Sequence, residues 1–241
     1  IRSVSLTYRN EIRLRRLKGR DLHQFEPDVY DQFKQRLGYA IDRVRNLPTQ
    51  NPVPDIHQGD TKNLPFDDDR FDLVITSPPY GDLRNTIPYH QFSKNMLFWL
   101  GHTYEDVAKI RNSSLGGVPK EKEKITLPES QTLMAAVNKM ERSSAIADAT
   151  YFYSDYYTSL KEIVRVTQER VIIVIGHRVL NNIFVDNAQI TTELLEKFDW
   201  KLEKTFQRNI PGKRLHREMA YGNQSKGATI DRESILIYVP G

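Results

Sequence analysis

The chain has 241 residues, 39% apolar and 27% charged, enough to bury one good core as a single domain or a domain carrying an insertion. No run approaches the roughly 18 apolar residues of a membrane span, no apolar secretory region opens the sequence, and the lack of cysteine excludes disulfides, a thiolate nucleophile and cysteine-held metal. The net charge of +4 gathers in two clusters, Arg9 to Arg20 and Arg208 to Arg217, each readable as a solvated face or as a match for a phosphate backbone.

Residue 1 is isoleucine, so the chain reads as beginning inside a longer product. Residues 8–46 read as helical. Pro27 and Asp28 mark a start, and Val29, Phe33, Leu37, Ile41 and Val44 then form one apolar stripe. The prolines of "PTQNPVP" end that helix. Asp55–Gln58 predicts a short strand closed by Gly59-Asp60, "LPFDDDRF" a polar turn, and Phe71–Thr76 a buried strand. Residues 83–150 show no sheet pattern: "HQFSKNMLFWLG" and "QTLMAAVNKMERSSAIADA" look helical, and "SSLGGVPKEKEKITLPES" looks like a loop. From 151 the α/β rhythm returns. Tyr157, Leu160, Ile163 and Val164 mark a helix face, "RVIIVIG" a buried strand, and "TTELLEKFD" a second helix. "WKLEKTFQRNI" and "ESILIYVP" predict a final antiparallel pair joined by a long basic loop.

The strand at 71–76 runs directly into Ser77-Pro78-Pro79-Tyr80. Open α/β sheets place their sites at the carboxyl ends of strands. The prolines fix φ and donate no N–H, so the carbonyls of Ser77 and Pro78 are free to face a pocket beside the Tyr80 ring. Carbonyl and hydroxyl acceptors next to an aromatic plate suit a planar ligand with an amino group, such as a nucleobase. The plainer reading is a Pro-Pro turn whose tyrosine packs at the sheet edge. Asp60 likewise reads either as a turn aspartate or as a ligand-binding carboxylate. The histidines show no metal-ligand spacing, and "YFYSDYY" at 151–157 reads as packing at a helix start or as pocket lining.

"SPPY" after an apolar strand, with "GD" and an acidic loop upstream, resembles the amino-methyltransferases of DNA. The serine form is similar to enzymes acting on the cytosine amino group. The resemblance covers about 55–80 and resumes over 151–239, where "SLKEIVRVTQERVIIVIG" and "RESILIYVPG" are similar to the family's next helix, strand and closing strand. It implies a Rossmann-like class I methyltransferase sheet, parallel with a late antiparallel strand and a helical insertion between motifs. Residues 1–54 would be a helical N-terminal segment of the methyltransferase domain and 55–82 with 151–241 its core. Residues 83–150 would be an insertion for target recognition or covering the site. The resemblance further implies S-adenosylmethionine as cofactor and double-stranded DNA as partner, with a target base swung out of the duplex. Ser77, Pro78, Pro79 and Tyr80 would be catalytic, with Tyr80 stacked on the base. Asp60, Thr61, Leu64 and Ser77 would hold the cofactor, and Arg208, Lys213, Arg214 and Arg217 the DNA. Neither a metal nor a membrane is implied, and a cytoplasmic restriction–modification enzyme fits. Methylation at the ring carbon of cytosine relies on a cysteine in the enzymes of that kind, and this chain has none.

The family's Phe-x-Gly-x-Gly loop is absent from these residues. Three placements are open: upstream of Ile1, which is favoured; beyond Gly241; or on a second polypeptide. The last leaves this chain as a split or non-catalytic nucleic-acid-binding subunit. Adenine in DNA, and an amino group in RNA, are the alternative targets.

Overall fold

The computed structural model describes residues 17–45, 54–81, 89–117, 125–181, 183–209, 218–220, 226–228 and 232–241. The chain divides into two compact units, Ile1–His57 and Gln58–Gly241.

In the first unit, helices α1 (Gly19–His23) and α2 (Val29–Arg45) replace the single helix expected over 8–46; residues 8–16 and 46 lie outside the described residues. The break falls at 24–28, where Pro27 withholds an N–H, and Asp28 begins α2 by accepting the Asp31 amide at 2.8 Å. The stripe Val29, Phe33, Leu37, Ile41 and Val44 is present and exposed.

The second unit contains β1 (Phe71–Thr76), α3 (Tyr89–Trp99), α4 (Tyr104–Ser113), α5 (Gln131–Val137), α6 (Ser143–Arg165), β2 (Thr167–Gly176), β3 (Arg178–Leu180), β4 (Ile183–Val185), α7 (Asn187–Glu196), β5 (Trp200–Asn209), β6 (Glu218–Ala220), β7 (Lys226–Ala228) and β8 (Arg232–Pro240). Four strands form one sheet in the order β1-β2-β8-β5. β1 and β2 are parallel, and β8 runs antiparallel to both β2 and β5. Three strands therefore share one direction and the last strand in sequence is inserted against them. This is the Rossmann-like α/β sheet that the sequence predicts.

Alternation decides which face is covered. Val171, Ile173 and Ile175 of β2 and Leu236 and Tyr238 of β8 are buried in the core with α6 and α7. Helix α6 supplies Ala145, Ala149, Phe152, Tyr153, Tyr156, Leu160 and Ile163 at helical spacing, and α7 supplies Ile190, Leu194 and Leu195. The aromatic run at 151–157 is thus mid-helix core packing.

Three expectations are corrected. Residues 55–58 form no strand; Asp60 and Asn63 make an isolated bridge instead, because no strand among the described residues lies beside them. β1 has the expected bounds but is not a buried strand: Phe71, Val74 and Thr76 are half-buried and Asp72, Leu73 and Ile75 are exposed, since β1 is the edge of the described sheet. The "QTLMAAV…" segment is two helices, broken at 138–142. The hairpins β3–β4 and β6–β7 have no counterpart in the expected elements; both are made of three-residue strands.

Candidate active site

The route into β1 is fastened to one polar stripe of α6. Thr61 Oγ1 and Ser159 Oγ lie 3.1 Å apart. Lys62 Nζ donates to Asp155 Oδ1 at 3.3 Å, and the Leu64 amide donates to Glu162 Oε2 at 2.9 Å. Arg165, the last residue of α6, donates to Glu162, to Asp68 Oδ1 at 2.7 Å and to the carbonyls of Leu64 and Phe66 at 3.1 and 2.8 Å. Residues 155, 159, 162 and 165 recur every three or four positions, so they share a face. The Arg165 guanidinium holds the Glu162 carboxyl below the usual carboxylate range, against a smaller effect of burial.

Asp60 sits in this segment as a turn residue. Its Oδ1 accepts the Lys62 amide at 3.0 Å, its carbonyl accepts the Asn63 amide at 2.9 Å, and its side chain stays exposed. The turn geometry of the plainer reading is present, and it leaves a carboxylate oxygen at the surface. Thr61 is engaged with α6 through its hydroxyl, and Leu64 is half-buried.

At the carboxyl end of β1, Ser77 is exposed and Pro78, Pro79 and Tyr80 are half-buried. The Tyr80 ring rests against the core cluster without being enclosed by it. Its hydroxyl donates to Glu233 Oε1, and Glu233 Oε2 accepts from Arg208. Burial, then the hydrogen bond and charge of Glu233, push the Tyr80 phenol up to about 12; a hydrogen bond from Ser77 and the Arg208 charge oppose the shift.

The backbone of the corner is tied from below. Asn187, the first residue of α7 and almost fully buried, donates through Nδ2 to the Tyr80 carbonyl at 2.9 Å and to the Gly176 carbonyl at 2.7 Å. Its Oδ1 accepts the Tyr153 hydroxyl at 2.6 Å. One amide thus joins the corner after β1 and the last residue of β2 to α6. Gly81 follows in close contact with the buried Arg178: a Cβ there would stand 2.7 Å from the guanidinium carbon, so only glycine passes without displacement.

Of the residues expected to act together, Ser77, Pro78, Pro79 and Tyr80 lie contiguously at the sheet's end. Asp60, Thr61 and Leu64 lie on the separate turn held by α6. Arg208 reaches the corner, bound to Glu233 rather than standing alone. Lys213, Arg214 and Arg217 lie outside the described residues. Glu233, Asn187 and Arg178 were not legible as site residues. The one available signal was the charge pair Arg232-Glu233 opening an otherwise apolar strand. Among the described residues no group of histidine and acidic side chains is placed to hold a metal ion.

The fold and the corner define a Rossmann-like α/β chain with an aromatic, proline-fixed loop at the carboxyl edge of its sheet. The Type II methyltransferase M.MvaI of Kocuria varians is 29% identical over 261 aligned positions, which take in 98% of this chain and 57% of that relative. The chain therefore spans a little over half the relative's length. No family model matches the sequence, and no solved structure matches it.

Proposed function

We propose that this chain forms the catalytic-corner portion of an S-adenosylmethionine-dependent DNA methyltransferase of the restriction–modification kind, directed at the exocyclic N4 amino group of cytosine. The observation that carries this reading is the Ser77-Pro78-Pro79-Tyr80 corner directly after β1, in a chain similar to a Type II methyltransferase over 98% of its residues. The serine form of the corner favours cytosine, as the resemblance implies. Double-stranded DNA is the substrate.

What supports the cofactor reading on this chain lies at the adenine end. Asp60 offers an exposed carboxylate suited to an adenine amino group, on a turn that α6 holds in place. No glycine-rich loop for the methionine half occurs in the sequence, and another segment or polypeptide would supply it. When bound, S-adenosylmethionine supplies an electrophilic methyl carbon. The chain's own part is alignment. Tyr80 presents a ring face to an extruded base. The Pro78 carbonyl and the Ser77 hydroxyl accept from the amino group and turn its lone pair toward the methyl position. Fixed acceptors of this kind cost no reorganisation as charge develops on the nitrogen.

The test is methyl transfer from labelled cofactor to unmodified plasmid DNA by the full-length protein, followed by mass spectrometry of the nucleosides. N4-methylcytosine is the expected product. N6-methyladenine alone would reassign the target, and label in RNA but not in DNA would reject the DNA reading.

A further inference from the structure

We propose that Glu233 is a positioning residue that fixes the Tyr80 ring for stacking, and that Arg208 acts through it. This deepens the proposed function and rests on Tyr80 being the base platform.

Glu233 opens β8, with only 10% of its side chain exposed. A carboxylate so placed needs compensation, because its desolvation cost stays unmet without a partner. Register supplies it: Arg208 stands directly opposite Glu233 across the β5–β8 pair. On the other side of β8, Glu233 faces Gly176 of β2. That residue carries no side chain, so the inner strand places none between Glu233 and the loop leaving β1. Tyr80 extends from that loop and donates its hydroxyl to the second carboxylate oxygen. The three groups come from two strands, β5 and β8, and from the loop leaving β1, and they meet at one end of the sheet.

The mechanical consequence follows from the two ends of the tyrosine. Asn187 holds its carbonyl at 2.9 Å, and Glu233 holds its hydroxyl. With both ends fixed, the only free ring motion is rotation about its own long axis, which leaves the ring where it is. A stacking tyrosine whose hydroxyl met only solvent would sample several χ1 wells and present its face part of the time. The raised phenol pKa, due first to burial and then to the hydrogen bond and charge of Glu233, agrees with this placement. Arg208 holds that carboxylate in place through Nε and Nη2, both donating to Oε2. Arg208, whose side chain stays 61% exposed, thereby has an indirect part at the corner beside the direct contact with DNA that the sequence leads one to expect.

The experiment compares Tyr80→Phe, Glu233→Gln, Arg208→Ala and Arg208→Lys in the full-length protein, each singly and in the Glu233→Gln background. Methyl transfer to unmodified plasmid DNA is the first readout. Glu233→Gln and Tyr80→Phe should each lower kcat on the order of 10- to 100-fold, the scale of a small misplacement, with KM for the cofactor unchanged. Neither Tyr80→Phe nor Arg208→Ala should lower it further once Glu233 is glutamine, and Arg208→Lys should recover most of the activity that Arg208→Ala loses. Losses that multiply, or a rise in KM for DNA on adding Arg208→Ala to Glu233→Gln, would overturn the proposal. The second readout needs no turnover: with ¹³Cζ-labelled tyrosine, the resonance missing in Tyr80→Phe should shift in Glu233→Gln and begin to titrate at lower pH. An unmoved resonance overturns the contact itself. A resonance that shifts in Glu233→Gln while the wild-type protein methylates no DNA overturns the functional reading, and the proposed role falls with it although the contact stands.

Discussion

Asn187→Asp is the sharpest perturbation of the corner, because it changes one atom group and no volume. In the native protein both amide hydrogens are used, on Tyr80 O at 2.9 Å and Gly176 O at 2.7 Å. An ionised aspartate would set a negative oxygen against those two carbonyl oxygens. Each buried acceptor left unsatisfied costs about 1–3 kcal/mol, so the pair costs about 2–6 kcal/mol. That is a large share of the roughly 5–15 kcal/mol that holds a domain folded. The Tyr153 hydroxyl keeps its acceptor and adds nothing to the loss.

The pH dependence fixes the cause. The new carboxyl is desolvated and faces acceptors, so its folded-state pKa rises above its unfolded value. The penalty is then full above the folded pKa and eases as pH falls through it, since a protonated acid regains one donor. Urea unfolding followed by the fluorescence of Trp200, which is buried, should show the variant weakest near pH 8 and partly recovered near pH 5, where linkage sets about that window. A loss below about 1 kcal/mol, or one independent of pH, would refute Asn187 as the tie between the strand ends.

The other predictions concern single contacts. Tyr80→Ala should lose roughly 1–3 kcal/mol of base stacking and most of the methyl transfer while the fold is retained, at a cost of about 1–3 kcal/mol in urea stability for the Glu233 oxygen left without its donor; unchanged activity would remove Tyr80 from the site. Gly81→Ala should cost about 1–3 kcal/mol by overpacking, since the new Cβ meets the Arg178 guanidinium at 2.7 Å, and thermal unfolding would measure it. Arg165→Ala should loosen the turn at 60–68 and weaken cofactor binding more than DNA binding, read by calorimetry with each ligand. Glu193 offers a pH test away from the site. Burial alone would raise its pKa, yet the Ser130 and Thr132 hydroxyls and the Thr132 amide bring it below the usual carboxylate range. A depressed folded pKa stabilises above the unfolded value and is lost as pH falls. Glu193→Gln should therefore cost about 1–2 kcal/mol at pH 7, and the cost should shrink as pH falls from the roughly 4.3 of a free glutamate through the lower folded value.

Much of the fold was legible because it depends on local signals. β1 has the expected bounds because Phe71–Thr76 is a short apolar, β-branched run stopped by two prolines. The antiparallel ending was legible because two strands in series with one connecting loop pair most simply as neighbours. The expected strand at 55–58 is absent because a strand is defined by its neighbour, and four residues carry no information about one. The α2 stripe predicted a helix and said nothing of what would cover it. The corner itself could be read from four contiguous residues. Its supports could not: the contacts of Tyr80 with Asn187 and Glu233 join residues 107 and 153 positions apart, and polar residues making long-range contacts look like surface residues in a sequence.

Those supports also explain why a tyrosine at this corner can serve as a platform. Two consecutive prolines fix φ at two residues and remove two donors, which leaves the turn stiff locally yet with two fewer backbone donors to anchor it. Rigidity has to come from outside the turn, and here it comes from two directions. Helix α7 sends Asn187 to the backbone while α6 steadies that amide through Tyr153. β8 sends Glu233 to the ring hydroxyl, balanced by Arg208 from β5. Had the ring merely packed at the sheet edge, dispersion contacts would have sufficed and a phenylalanine would have done as well. A hydroxyl bound to a nearly buried carboxylate carries a desolvation cost that simple packing does not require. Spending that cost makes physical sense where the position of the ring, rather than its burial, is what matters.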